Sequence, residues 1–160
     1  MGEFGEIGEI GELGDLGIKE EKKLRKRILA VDDTVIVLTR IADTLRKDYE
    51  VVTVNSGIRA LKYLNQEKPD LILLDIQMAT KDGIETLREI RAMKDRSDIP
   101  VIMLTGMEDK TSVLESAKLG ICDYILKPFS SEDLLERIRK VLEPDKKQSF
   151  EEFCKEMGRK

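Results

Sequence analysis

Between Arg27 and Leu142 one pattern recurs five times: a short apolar run, a polar break, then apolar residues at helical spacing. Residues 27–31 (RILAV) run into Asp32 and Asp33, and Leu38, Ile41 and Leu45 follow. Residues 49–54 (YEVVTV) are rich in β-branched side chains, and Ser56 is a good N-cap for a helix carrying Ile58, Leu61 and Leu64. Residues 71–74 (LILL) run into Asp75, ahead of Ile84, Leu87 and Ile90. Residues 101–104 (VIML) run into Thr105 and Gly106, ahead of Val113, Leu114 and Ala117, with Gly120 placed to end that helix. Residues 123–126 (DYIL) run into Lys127 and Pro128, ahead of Leu134, Leu135, Ile138, Val141 and Leu142. The runs before Asp75 and Thr105 do not alternate, which marks strands buried on both faces, as in a parallel sheet covered by helices. Strand and helix in strict turn imply an α/β fold: a doubly wound, five-stranded parallel sheet with right-handed crossovers.

Four of these strands end in residues with usable chemistry: Asp32 with Asp33, Asp75, Thr105 and Lys127. Taken singly, each has an ordinary explanation. Adjacent acids solvate or cap a turn, a lone Asp caps a loop, and Thr before Gly or Lys before Pro simply closes a strand. Together they carry more weight, because ligands of an open parallel sheet bind outside the carboxyl ends of its strands. Three carboxylates at one rim raise one another's pKa. A hard divalent cation relieves that repulsion, and Mg²⁺ suits a few carboxylates plus water. One carboxylate can then act as a nucleophile toward a phosphoryl group, with Lys127 and Thr105 placed to receive its oxygens.

The stretches ILAVDD (28–33), LILLDIQM (71–78) with Asp82-Gly83, VIMLTG (101–106) and DYILKPF (123–129) resemble the receiver domain of two-component response regulators. The resemblance runs from about Arg25 to Leu142. It implies a flavodoxin-like (βα)5 sheet with strand order 2-1-3-4-5. It also implies roles for single residues. Asp75 corresponds to the phosphoacceptor. Asp33 and Asp75 correspond to direct Mg²⁺ ligands, Asp32 to a ligand through water, and the backbone carbonyl of Gln77 completes the set. Thr105 corresponds to the hydroxyl that moves toward the phosphoryl group, and Lys127 to the residue that pairs with it through a loop with a cis Lys127–Pro128 bond. Tyr124 corresponds to an aromatic switch, although a half-buried residue on an edge strand is the plainer description. The chain departs from the family where Met78-Ala79 replaces the frequent Met-Pro and Gly106 replaces a frequent Ala. Gln77 and Met107 fall where residues influence how an acyl phosphate meets water, so the phosphoryl lifetime is the least constrained property.

Composition narrows the chemistry. The 160-residue chain contains no histidine. This excludes Ser-His-Asp and Cys-His hydrolases and any phosphohistidine formed by the chain itself. Cys122 and Cys154 have no metal-type spacing and read as free thiols. Charged residues make up 38% of the chain but balance to a net −4, which points to salt-laced helix faces and not to nucleic acid. No apolar run approaches the ~20 residues needed to span a bilayer. The N-terminus is acidic where a signal peptide is basic, so a cytoplasmic protein without membrane contact is expected.

Three regions are expected. Residues 1–24 form an extension that begins with triplets of Gly, an acid and an apolar residue over 2–16, followed by the basic stretch KEEKKLRKR at 19–27. Glycine at that density opposes a helix by ~1 kcal/mol per residue, so disorder is predicted there. Residues 25–143 form the receiver domain. Residues 144–160 form a tail in which Phe150, Phe153, Cys154 and Met157 make a helical stripe, predicting a short helix that docks back on the domain or binds a partner, a second copy included. No output domain is expected within the tail. The expected consequence of phosphorylation is therefore altered binding of a downstream protein on the face of the fourth helix, fifth strand and fifth helix. A histidine kinase or phosphotransfer protein is the expected donor, and no enzymatic activity beyond the chain's own phosphorylation and dephosphorylation is expected. Two alternatives differ in class. One is a pseudo-receiver that only binds partners. The other is a small Mg²⁺-dependent phosphohydrolase, against which Gln77 stands where a further acid would be needed.

Overall fold

The computed structural model describes residues 25–106 and 110–143. The expectations for the extension 1–24, for Met107 and for the tail 144–160 with Cys154 lie outside those residues. The strands are β1 (Arg27–Val31), β2 (Glu50–Val54), β3 (Leu71–Asp75), β4 (Val101–Thr105) and β5 (Asp123–Leu126). The helices are α1 (Val35–Leu45), α2 (Gly57–Gln66), α3 (Gly83–Ala92), α4 (Lys110–Leu119) and α5 (Ser131–Leu142). All strand pairs are parallel, in the expected order β2-β1-β3-β4-β5.

The period of two along each strand sends neighbouring side chains to opposite faces, and two cores result. Ile28, Ala30, Leu73 and Leu104 pack with Ile41 and Leu45 of α1 and with Leu134 and Ile138 of α5. Leu29, Val31, Leu74 and Met103 pack with Ala60 and Leu64 of α2 and with Leu87 and Ile90 of α3. Every residue of β3 and β4 is buried, which is why their sequences show no alternation. Each fully buried Leu or Ile contributes about 1.5–3 kcal/mol relative to exposure.

Side-chain caps fix where three helices begin. Ser56 Oγ accepts from Arg59 N at 3.1 Å, Asp82 Oδ1 from Glu85 N at 2.8 Å and Ser130 Oγ from Asp133 N at 3.0 Å. Helix α4 stops where Gly120 takes φ +92°, as its position in the sequence predicts.

Two helices turn further than their apolar residues alone suggest. Ile58 is 49% exposed and Leu114 65% exposed, although both fit a helical stripe. In α2 the inward positions are Gly57, Ala60 and Leu64. The bare Gly57 lets α2 approach α3 so closely that a Cβ there would lie 2.1 Å from Thr86 Oγ1. In α4 the buried residue is Ser116, whose hydroxyl donates to the Val113 carbonyl at 2.8 Å. Ala117 is exposed with Leu114.

Candidate functional site at the carboxyl rim of the sheet

Asp75 is the last residue of β3, still in ladder register with Leu104, and only 3% exposed. The chain then turns: Ile76 N donates to the Leu104 carbonyl at 3.0 Å, and Gln77 N donates to Asp75 Oδ1 at 3.2 Å. Asp32 follows β1 and is fully buried. Its Oδ1 accepts from Thr34 N at 2.9 Å, and its Oδ2 accepts from Lys127 Nζ at 2.7 Å. The same ammonium lies 3.2 Å from Asp75 Oδ1. Asp33 is exposed, and its Oδ2 accepts from Ala79 N at 3.0 Å.

Lys127 reaches the two acids from the loop after β5. Its own N–H donates to the Thr105 carbonyl at 2.7 Å, and the Lys127–Pro128 bond is cis, as the resemblance implied. Thr105 is 1% exposed, and its hydroxyl donates to the Gly106 carbonyl at 3.1 Å. Tyr124 pairs with Met103 on the edge strand β5 and is 44% exposed, more open than its half-buried description.

The electrostatics follow from burial. Removal from water pushes the Asp75 carboxyl up to about 6, and the charge of Asp32 adds to this, while Lys127 and the Gln77 amide pull the other way. Burial pushes the Lys127 ammonium down, but its hydrogen bond to Asp32 and the charges of Asp75 and Asp32 outweigh that and hold it above the ordinary lysine value. One carboxylate oxygen from each of Asp32, Asp33 and Asp75 falls within 4.8 Å of the others. Such an all-oxygen set fits a hard divalent cation that keeps some of its water. The three acids and Lys127 thus meet as their strand ends suggest. Thr105 stands on the adjacent strand, one residue beyond the ladder partner of Asp75.

Asp82 and Gly83 are in the motif set, but their part in supporting the site is seen only in the structure. Gly83 N donates to the Ile76 carbonyl at 2.8 Å, and a Cβ on Gly83 would lie 2.1 Å from the Asp75 carbonyl oxygen. Glycine here lets α3 start directly against the backbone of Asp75. The Thr34 and Ala79 amides that orient Asp32 and Asp33 are backbone groups with no side-chain signature. The capping role of Asp82 could have been read from the sequence, because an Asp ahead of Ile84, Leu87 and Ile90 is an N-cap pattern. Between Asp33, Gln77, Ala79, Asp82 and Ser112 lies a cleft of about 480 Å³.

The family description "Response regulator receiver domain" matches residues 28–139. The chain belongs to the response-regulator receiver family. The receiver is 40% identical over 127 residues to the probable transcriptional regulator ycf27 of Guillardia theta, covering 79% of this chain and 49% of that protein. It is 37% identical over 120 residues to the alkaline phosphatase synthesis transcriptional regulatory protein PhoP of Bacillus subtilis, covering 74% of this chain and 49% of that one. A CheY-like receiver domain protein from Methanospirillum hungatei superposes with a TM-score of 0.71 at 31% identity, covering 78% of this chain and 98% of that one. The chain spans about half the length of the curated relatives it matches. Their names are those of transcriptional regulators, so they do not support an output confined to protein contacts without nucleic acid. Among the described residues, no helix is long and apolar enough to cross a membrane.

Proposed function

We propose that this receiver is the phosphoacceptor of a two-component relay and that Asp75 takes the phosphoryl group. The observation that carries this is Asp75 itself: it ends a fully buried strand, clusters with Asp32 and Asp33, and lies 3.2 Å from the Lys127 ammonium. With a pKa of about 6, Asp75 is mostly ionised at neutral pH and able to attack. A carboxylate oxygen forms the new bond to phosphorus as the nitrogen–phosphorus bond of a phosphohistidine breaks, and the donor's imidazole leaves. Lys127 transfers its contact from the Asp75 carboxylate to a phosphoryl oxygen. The Thr105 hydroxyl turns from the Gly106 carbonyl to another. Asp33 and Asp75 would hold Mg²⁺ directly, Asp32 through water, with the Gln77 carbonyl completing the set; when bound, the ion neutralises charge on the phosphoryl group.

The donor is a histidine kinase or phosphotransfer protein, since the chain has no histidine of its own. Val35 and Ile36 in the first turn of α1 are 70% and 79% exposed, an apolar surface close in sequence to Asp33 that suits such a partner. The turn of Thr105 leaves space for the Tyr124 ring to move inward, altering the face of α4, β5 and α5. The output served is transcriptional control, by analogy with the named relatives, and no substrate other than the phosphodonor is turned over.

Transfer from a labelled phosphohistidine kinase tests the proposal. Label passes to the wild-type receiver, and both Asp75→Asn and chelation of Mg²⁺ abolish transfer. Equal transfer to the Asp75→Asn variant would refute it.

A further inference from the structure

Arg91, near the end of α3, makes a set of contacts that the acceptor chemistry does not use. Its Nη1 donates to the carbonyls of Ser97 and Ile99, each at 2.9 Å. Its Nη2 donates to the Gly120 carbonyl at 2.7 Å, and its Nε is shared between the carbonyls of Leu119 and Gly120 at 3.3 and 3.2 Å. The planar fork thus ties the end of α3 both to the turn before β4 and to the last carbonyls of α4. Those carbonyls are the negative end of the α4 dipole, where a cation is favoured.

Helix α4 has little else to hold it. Ser116 is its one buried residue, Val113 and Leu119 are partly buried, and Leu114 is 65% exposed. Its N-terminal side is joined in sequence to Thr105, the residue expected to move when Asp75 is modified. Its other end rests on Arg91. Helix α3 is in turn seated on the acceptor's backbone, because Gly83 leaves no space between itself and the Asp75 carbonyl. Helix α3 therefore works as a strut from Asp75 to the far end of α4.

We infer that Arg91 is a positioning residue: its guanidinium pins the C-terminal end of α4, so that a displacement begun at Thr105 is delivered by a helix fixed at one end. Without the fork, α4 loosens before any phosphoryl group arrives, and phosphorylation has less left to change. The second half of this inference rests on the phosphoacceptor reading. The pin itself does not.

The experiment is amide hydrogen exchange on the full chain for wild type, Arg91→Lys and Arg91→Gln, first with chelator and then with Mg²⁺ and beryllofluoride. With chelator, amides of residues 113–122 in Arg91→Gln exchange at least about tenfold faster, as expected for lost charge-assisted hydrogen bonds in a locally opening segment, while β1 and β3 are unchanged. Arg91→Lys keeps the charge but not the fork and falls between the two. With beryllofluoride, the change of protection in α4 is large in wild type and small in Arg91→Gln. Wild-type protection of α4 in Arg91→Gln, or loosening spread evenly over the core, would overturn the pin. If wild type gives no beryllofluoride response, the phosphoacceptor reading fails, and the chelator arm still decides the pin.

Discussion

Asp75 is placed where an ionised carboxylate is least welcome: at the end of a buried strand and beside the fully buried Asp32. Its folded pKa of about 6 stands above the ordinary 3.8, so the fold favours the neutral acid. The stability this contributes is fully present below about pH 3.8 and is lost as pH rises through about 6. Asp75→Asn removes the loss. In urea titrations with chelator, the variant should match wild type near pH 4 and exceed it by about 2 kcal/mol at pH 8. Equal stability at both pH values would contradict this origin of the shift. Lys127 is the counterpart. Lys127→Met leaves Asp32 and Asp75 facing each other without their cation and should cost about 3 kcal/mol at neutral pH. Added Mg²⁺ should recover part of that cost, measured by the shift in the urea midpoint. These residues are legible in the sequence because each follows an apolar run. Asp33 is legible as half of a pair, but the Ala79 amide that orients it is not, since any residue offers an N–H.

At the scale of elements, the β3–α3 junction is the part of the site with least freedom. Gly83→Ala would put a methyl group 2.1 Å from the Asp75 carbonyl oxygen, where only backbone movement can relieve it. A loss of about 3 kcal/mol is expected in thermal or urea unfolding. Gly106→Ala is the control on the other side of the site: a Cβ there meets nothing within 4 Å, so stability should stay within ~0.5 kcal/mol of wild type. Strand and helix order reads well from the sequence because β3 and β4 are apolar throughout and the Ser56 and Gly120 boundary signals fall where the helices begin and end. Helix rotation reads less well. Leu114 and Ile58 fit an apolar stripe, yet the buried sides of their helices carry the small residues Ser116, Gly57 and Ala60. Close approach between neighbouring elements selects small side chains, and periodicity of large apolar residues does not register them.

For the whole molecule, the doubly wound sheet gathers residues from Asp32 to Lys127 at one rim and separates two apolar cores that hold the strands rigid beneath them. The ion pairs of Lys127 tie the last strand to the first and third across the sheet, so the site also reports on the integrity of the fold. The proposed output of the rim runs through α4, β5 and α5, where Tyr124 and Leu126 are 44% and 46% exposed. In the proposed relay, Asp75 alone accepts the phosphoryl group. The most direct measurement is to incubate the chain with labelled acetyl phosphate and Mg²⁺ and map the label after proteolysis. Hydroxylamine-sensitive label is expected on the peptide containing Asp75, absent with chelator and absent in Asp75→Ala. Undiminished label in Asp75→Ala, or label on another peptide of the wild type, would contradict it.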